Sequence, residues 1–323
     1  MSRPLNEYDY LKVIATILVV IGHSTILYNS STHPEQDTSI PQLITFGIYL
    51  FHMPLFMALS GAIYEVGKQR GKYLDFSSFA FDKVKRLLIP YLFVGLCFLI
   101  PATIFWSTSN QDPLSVNKLL LGHGCRHLWY LLSLFEIFIF HWIAKKAGLQ
   151  NFILLFGAIL LSILFSLFGH CDLWCLNTAI YYYPFFLIGA IISKINKTNI
   201  LYIGIIGALI MGCTIKLTHV YIVDIMASIL LQSCLVITLI QTIRILHHIL
   251  FKENELVKFL LKYSFSIYLF HVIVIYAVHA YFDLSYYYVI PIMILAGIVI
   301  SVLISYFIKQ LNGHILIGEK KTS

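Results

Sequence analysis

Residues 9–28 read DYLKVIATILVVIGHSTILY. A run this long is close to the roughly 20 residues a helix needs to cross bilayer hydrocarbon. It nevertheless carries Asp9, Lys12 and His23. Ionisable groups within a membrane span cost about 2.5–3.5 kcal/mol each on insertion scales, and they mark functional positions by default. At about 100° per residue, the steps from Lys12 to His23 end roughly 20° from a whole number of turns, and those from Asp9 roughly 40°. All three therefore share one face, and Asp9 and Lys12, three apart, can pair. Lys12 and His23 differ in depth by roughly 16 Å at 1.5 Å per residue. On an unbroken helix they cannot both touch one reacting atom, but they can hold two ends of an elongated ligand. Taken singly, Lys12 also reads as a snorkelling lysine paired with Asp9, and His23 as one half of an interhelical hydrogen bond.

The rest of the chain follows the same pattern. Hydrophobic residues make up 59% of the 323 and charged residues 11%, against roughly 25% charged in a soluble domain. So much apolar surface requires lipid as its solvent. The expected fold is an all-α integral membrane bundle of about ten transmembrane helices, near 10–28, 43–66, 87–106, 128–144, 151–168, 178–193, 199–215, 220–243, 264–281 and 288–308. Residues 1–323 read as a single polytopic domain, and no cleavable secretory signal is expected. With the N-terminus inside, about 18 of the 22 Lys and Arg fall on inner segments and about three on outer ones. The positive-inside rule then puts both termini in the cytoplasm. The formal charge of +7 reports topology, and no nucleic acid partner is expected. The inner loop 67–86 is strongly basic, and the outer loop 107–127 contains Gly122-His123-Gly124-Cys125-Arg126-His127.

Other polar groups in the spans invite functional and structural readings side by side. His52 stands before Pro54, which frees a backbone carbonyl. Ser60-Gly61 permits close helix packing. Glu136, seven residues after Trp129 and near the same helix face, is the only acid in its span; it can orient a histidine or bind a sugar hydroxyl. Trp129 fits an interface belt or a sugar-stacking platform, and His271 is a site residue or a helix–helix hydrogen bond. His141, Asp224 and His279 read as structural. Cys97, Cys213 and Cys234 read as inert small hydrophobes. Cys125, Cys171 and Cys175 fall on outer loops, where a disulfide is open to them. His123, His127, His170 and these cysteines match no standard zinc spacing, so no metal is expected.

Several of these residues lie in runs that together resemble one family. Asp9-Tyr10-Leu11-Lys12 with Val19-Val20-Ile21-Gly22-His23-Ser24 looks like the opening helix of the acyltransferase 3 family, the membrane-bound bacterial O-acyltransferases. Further matches follow in the family's order: Phe51-His52-Met53-Pro54-Leu55-Phe56 with Leu59-Ser60-Gly61, Lys85-Arg86-Leu87-Leu88-Ile89-Pro90-Tyr91, His127-Leu128-Trp129-Tyr130-Leu131, and Tyr263-Ser264-Phe265-Ser266-Ile267-Tyr268-Leu269-Phe270-His271. Each run is short and apolar; jointly they are specific. One departure is Lys12, where many members carry Arg; the charge is kept and the bidentate fork lost.

The resemblance implies an O-acetyltransferase of the bacterial inner membrane. It would move acetyl from cytoplasmic acetyl-CoA to a hydroxyl of a cell-envelope glycan or lipid-linked sugar. His23 would be the essential residue, as base on the acceptor or as transient acyl carrier, with Lys12, Asp9 and Glu136 assisting. Lys12, Lys83, Lys85 and Arg86 suit the CoA phosphates, and His52, Ser60, His127, Trp129, Tyr268 and His271 are candidates for the acceptor. The chemistry is consistent: a sugar hydroxyl needs a base, histidine is the usual one near neutral pH, and a thioester needs no metal. Membrane lipids are expected partners, and a homo-oligomer is compatible with the sequence. An exporter or flippase of polysaccharide or small solute, with His23 and Glu136 as a proton relay, is the second reading; a non-catalytic scaffold or sensor is the third. No inverted repeat of the kind common in transporters is visible.

Overall fold

The computed structural model describes residues 5–29, 31–33, 35–105, 114–123, 125–169, 174–195, 200–217, 221–249, 254–282 and 285–320. Arg3, Gly124, His170, Cys171, Lys197, Lys252 and Lys321 lie outside them. The described residues are helical throughout, without a strand. The helices are α1 (Glu7–Thr25), α2 (Ser39–Tyr49), α3 (His52–Gln69), α4 (Phe76–Lys83), α5 (Ile89–Val94), α6 (Ile100–Phe105), α7 (Val116–Leu120), α8 (Trp129–Lys146), α9 (Asn151–Phe168), α10 (Leu176–Ile192), α11 (Ile200–Leu217), α12 (Tyr221–Ile249), α13 (Glu255–Tyr281) and α14 (Tyr286–Gln310). Seven helical stretches among the described residues are long and apolar enough to cross a membrane. This is an integral membrane protein.

α1 starts where its sequence instructs. Asn6 accepts from the Asp9 N–H at 3.1 Å, and the Asp9 carboxylate accepts from the Asn6 N–H at 2.9 Å. This reciprocal cap satisfies two end donors of the helix. Asp9, a candidate site residue, closes this cap with its carboxylate and lines neither cavity described below.

Two expected spans take a different form. The second, 43–66, is broken at Leu50-Phe51 into α2 and α3. Pro54, in the first turn of α3, has no N–H and would clash with the carbonyl of Leu50 in a continuous helix. His52 therefore opens a helix instead of sitting within one, and its Nδ1–H donates to the Ile48 carbonyl at 2.9 Å. The third, expected at 87–106, starts at Phe76, capped by Asp75 on the Ser78 N–H at 2.8 Å. Much of the basic loop is therefore helical. Between α4 and α6 the helix twice widens to a π turn, at Val84–Leu88 and Gly95–Leu99. Each is followed by Ile-Pro, at 89–90 and 100–101. Proline removes a bond and pushes on the carbonyl four residues back, and the five-residue register absorbs the displacement.

α1 is embedded against α13, α2, α3 and α14. α3 and α10 cross through glycines. A Cβ on Gly61 would stand 1.9 Å from the Phe186 carbonyl oxygen, and one on Gly189 1.8 Å from that of Ala58. Without glycine here the backbones must part. Gly61→Leu is expected to destabilise by about 3 kcal/mol or more, read as a fall in the melting temperature of the detergent-solubilised protein.

Candidate active site

The polar stripe of α1 opens into two cavities. Lys12 and Thr16 line an inner cavity of about 500 Å³. Val19 and His23 line an outer one of about 380 Å³. The positions 12, 16, 19 and 23 follow the helical repeat, so one helix face serves both. Tyr268 of α13 lines both cavities and forms the partition between them.

The outer cavity is built from histidines and aromatic rings. His23, His52 and His127 line it together with Tyr49, Trp129, Thr178 and Tyr182. The rings of Trp129 and Tyr182 stack 5.1 Å apart. The ring centre of His271 lies 5.2 Å from that of His23 and that of His127 6.4 Å from it, with 5.5 Å between those two. His271 is wholly buried and lines neither cavity, so it is placed to touch His23 and not an acceptor.

The hydrogen bonds fix the protons of His23's neighbours. A backbone carbonyl only accepts, so the ring nitrogen facing it must carry the hydrogen. Nδ1 of His271 faces the carbonyls of Ile267 and Tyr268, each at 2.9 Å. Nε2 of His127 faces that of Leu269 at 3.0 Å, and Nδ1 of His52 faces that of Ile48. The second nitrogens of the neutral rings are then lone-pair acceptors. Nε2 of His271 and Nδ1 of His127 are buried without a partner. His23 has no hydrogen-bonding partner of its own among the described residues. It is thus the ring free to choose its tautomer, with the rings of His271 and His127 grouped on one side of it. An N–H directed at His271 leaves the other nitrogen's lone pair for the cavity, which is the arrangement of an oriented general base.

His127 is held from two sides. Its ring donates to the Leu269 carbonyl, and its own carbonyl accepts from the Tyr268 hydroxyl. Arg126, just before it, takes a left-handed φ of 49°, a strained turn of a kind that clusters at functional sites. Tyr268→Phe leaves that buried carbonyl without its donor, a loss worth about 1–3 kcal/mol. The expected result is about a tenfold or greater fall in turnover, with donor binding nearly unchanged, measured as kcat against KM.

The inner cavity is electropositive. Lys12, Lys83, Arg86, Lys262 and Lys320 line it against one carboxylate, Glu319. Lys83 is buried and its Nζ sits 4.0 Å over the Phe138 ring, a cation–π contact. Lys85 does not line the cavity; its Nζ lies 4.0 Å over the exposed ring of Phe81. Lys85, expected to meet the donor, is thus not on the wall of this cavity. Ser60, expected beside the acceptor, instead lines the inner cavity, its hydroxyl 2.9 Å from that of Tyr130. Glu136 lines neither cavity. Its carboxylate meets the Cys175 backbone, and its Oε2 is buried without a partner.

Lys262, Lys320, Tyr49 and Tyr182 are not among the candidates the sequence offers, and Tyr130 enters there only within the run 127–131. Lys262 carried no signal in its spacing, since six residues put it about 120° around the helix from Tyr268. Lys320 carried none. The chain after α14 folds back, and Gly318, at φ 66°, turns it into the cavity; a Cβ there would meet the Arg86 carbonyl oxygen at 2.7 Å. Glu319 pairs with Lys309 at 2.7 Å and Lys320 with Asp82 at 3.1 Å. Among the described residues, no group of three or more His, Cys, Asp or Glu is placed to hold a metal ion.

The site is thus a cationic cavity and a histidine-lined one, both reached from a single face of α1 in a membrane bundle. The family follows: a model described as an acyltransferase domain, acyltransferase 3, matches residues 5–309, and the chain belongs to that family. A probable poly-β-1,6-N-acetyl-D-glucosamine export protein of Staphylococcus aureus (strain MRSA252) is 24% identical over 188 residues, 57% of this chain and 52% of the relative. Nodulation protein NolL of Sinorhizobium fredii (strain NBRC 101917 / NGR234) is 28% identical over 197 residues, 58% of this chain and 48% of the relative. The matches thus span about half the length of these relatives. No solved structure matches the chain.

Proposed function

We propose that the protein is an O-acetyltransferase of the bacterial inner membrane. Acetyl-CoA enters the inner cavity from the cytoplasm, and the acceptor, a hydroxyl of a cell-envelope glycan or lipid-linked sugar, enters the outer one. The observation that carries this reading is the pair of cavities along one face of α1, with Lys12 in one, His23 in the other and Tyr268 between them. The five cations meet the CoA phosphates, and the pantetheine arm runs along α1 towards His23. His23 takes the proton of the acceptor hydroxyl, oriented by His271. The freed oxygen attacks the thioester carbonyl, the carbon–sulfur bond breaks, and the CoA thiolate leaves and receives the proton. Trp129, Tyr182 and Tyr49 present flat faces to a sugar ring. The alternative role for His23 as acyl carrier predicts label on protein rapidly denatured at neutral pH in the absence of acceptor, lost on treatment with acid or hydroxylamine; the base role predicts none.

The proposed topology has ten crossings and both ends in the cytoplasm. The seven long apolar stretches, together with α1, α10 and α11, supply that number, and the Lys and Arg bias supplies the direction. α1 falls outside the seven because of the polar residues that make it interesting.

A relative described as a probable export protein keeps the exporter reading in play. Purified protein separates the two. An acetyltransferase binds acetyl-CoA and releases free CoA slowly even without acceptor. An exporter moves saccharide across proteoliposomes without acetyl-CoA, and that result would overturn the proposal.

A further inference from the structure

We propose that Cys125 and Cys175 form a disulfide that ties the turn carrying His127 to the head of α10. Their sulfurs lie 3.8 Å apart, and both side chains are buried. The two segments are already in register: the Trp174 N–H donates to the Leu121 carbonyl at 2.8 Å. Both thiols also face the Gly122 carbonyl, at 3.3 and 3.8 Å. Both are free thiols in this structure, and the bond requires their sulfurs to close from 3.8 Å to about 2.05 Å. The acyl-transfer mechanism uses neither thiol. The inference rests on the proposed topology, which puts both residues on the outer side, where disulfides persist.

The reaction needs a disulfide-bearing thiol oxidant outside the cytoplasm. The Cys125 thiolate attacks one sulfur of that disulfide and releases a thiolate. The Cys175 thiolate then attacks the Cys125 sulfur of the mixed disulfide and releases the second. Two electrons pass from the pair to the oxidant, which leaves as a dithiol, and the two protons go to solvent or to the released thiolates. The hydrogen bond from the Cys175 thiol holds the Cys125 thiol below its ordinary pKa, which suits it to attack first. Because the finished pair is buried, the bond forms as the segments dock during assembly. It then fixes His127 and Trp129 on one wall of the outer cavity relative to Thr178 and Tyr182 on the other.

The test is thiol counting on protein denatured straight from membranes without reductant, using a maleimide that shifts gel mobility. Orientation is checked separately by reaching a Ser31→Cys variant from outside intact cells with an impermeant maleimide. Four of the six cysteines should label before reduction and all six after it. Cys125→Ser should label at all five of its cysteines without reductant, Cys171→Ser should keep the link, and peptide mapping should join 125 to 175. Reduction should lower the melting temperature of the wild type and leave that of Cys125→Ser unchanged. Six labelled cysteines with Ser31→Cys reached from outside would overturn the disulfide alone. Six with Ser31→Cys protected would overturn the topology and the disulfide with it. A bond to Cys171 would overturn the pairing.

Discussion

His23→Ala is expected to abolish acetyl transfer while leaving acetyl-CoA binding intact. A positioned general base contributes typically about 10²- to 10⁴-fold. The lone-pair nitrogens of His127 and His271 are buried, whereas His52, with its N–H on the Ile48 carbonyl, also lines the cavity, so His52→Ala is the parallel variant and should lose less than His23→Ala. The His23→Ala substitution removes a half-buried ring from a cavity wall, so the bundle should remain folded. Turnover should fall at least about 100-fold with the donor dissociation constant changed less than about threefold, equivalent to about 0.6 kcal/mol. Activity surviving in His23→Ala would remove this residue from the chemistry.

The second large effect is expected at the other end of the stripe. Arg86→Glu reverses a charge on the wall of the inner cavity. Losing one charge-assisted hydrogen bond costs about 1.5–3 kcal/mol, and repulsion of the phosphates adds to it. Acetyl-CoA binding should weaken about 10- to 100-fold or more, and the defect should shrink as salt screens the field. Lys85→Glu, at the adjacent residue but turned over Phe81 and off the cavity wall, is the control and should bind nearly as wild type. Titration of the purified variants by calorimetry reads both. Equal losses at the two positions would mean that the basic segment acts through its overall charge and the cavity has no part in it.

The contrast between Arg86 and Lys85 also shows what the sequence could and could not convey. α1 was legible because its polar residues obey the helical period over a long apolar background. Lys12 and His23 therefore shared a face before any neighbour was known. Residues 67–86 looked like a basic loop, so there was no helical phase with which to separate Lys83 and Arg86, which line the cavity, from Lys85, which does not. Pro54 was visible as a backbone lesion. Its position in the first turn of a new helix, which puts His52 at a helix start, depends on α2 folding separately. Glu136 shared a face with Trp129 by spacing. Spacing says nothing of which neighbour covers that face, and the Cys175 backbone does. Lys320 reaches the cavity only because the chain end folds back against Arg86, a contact between distant segments with no local signature.

The central claim is that donor and acceptor occupy opposite cavities and that acetyl passes between them at His23. Membrane vesicles of defined orientation test it most directly, with radiolabelled acetyl-CoA, which does not cross bilayers, supplied outside. In everted vesicles, whose cytoplasmic face is outward, label should accumulate on enclosed envelope saccharide, and the signal should vanish with His23→Ala. Right-side-out vesicles should incorporate none. Label appearing on material exposed to the same side as the acetyl-CoA, and absent from the enclosed saccharide, would contradict the account.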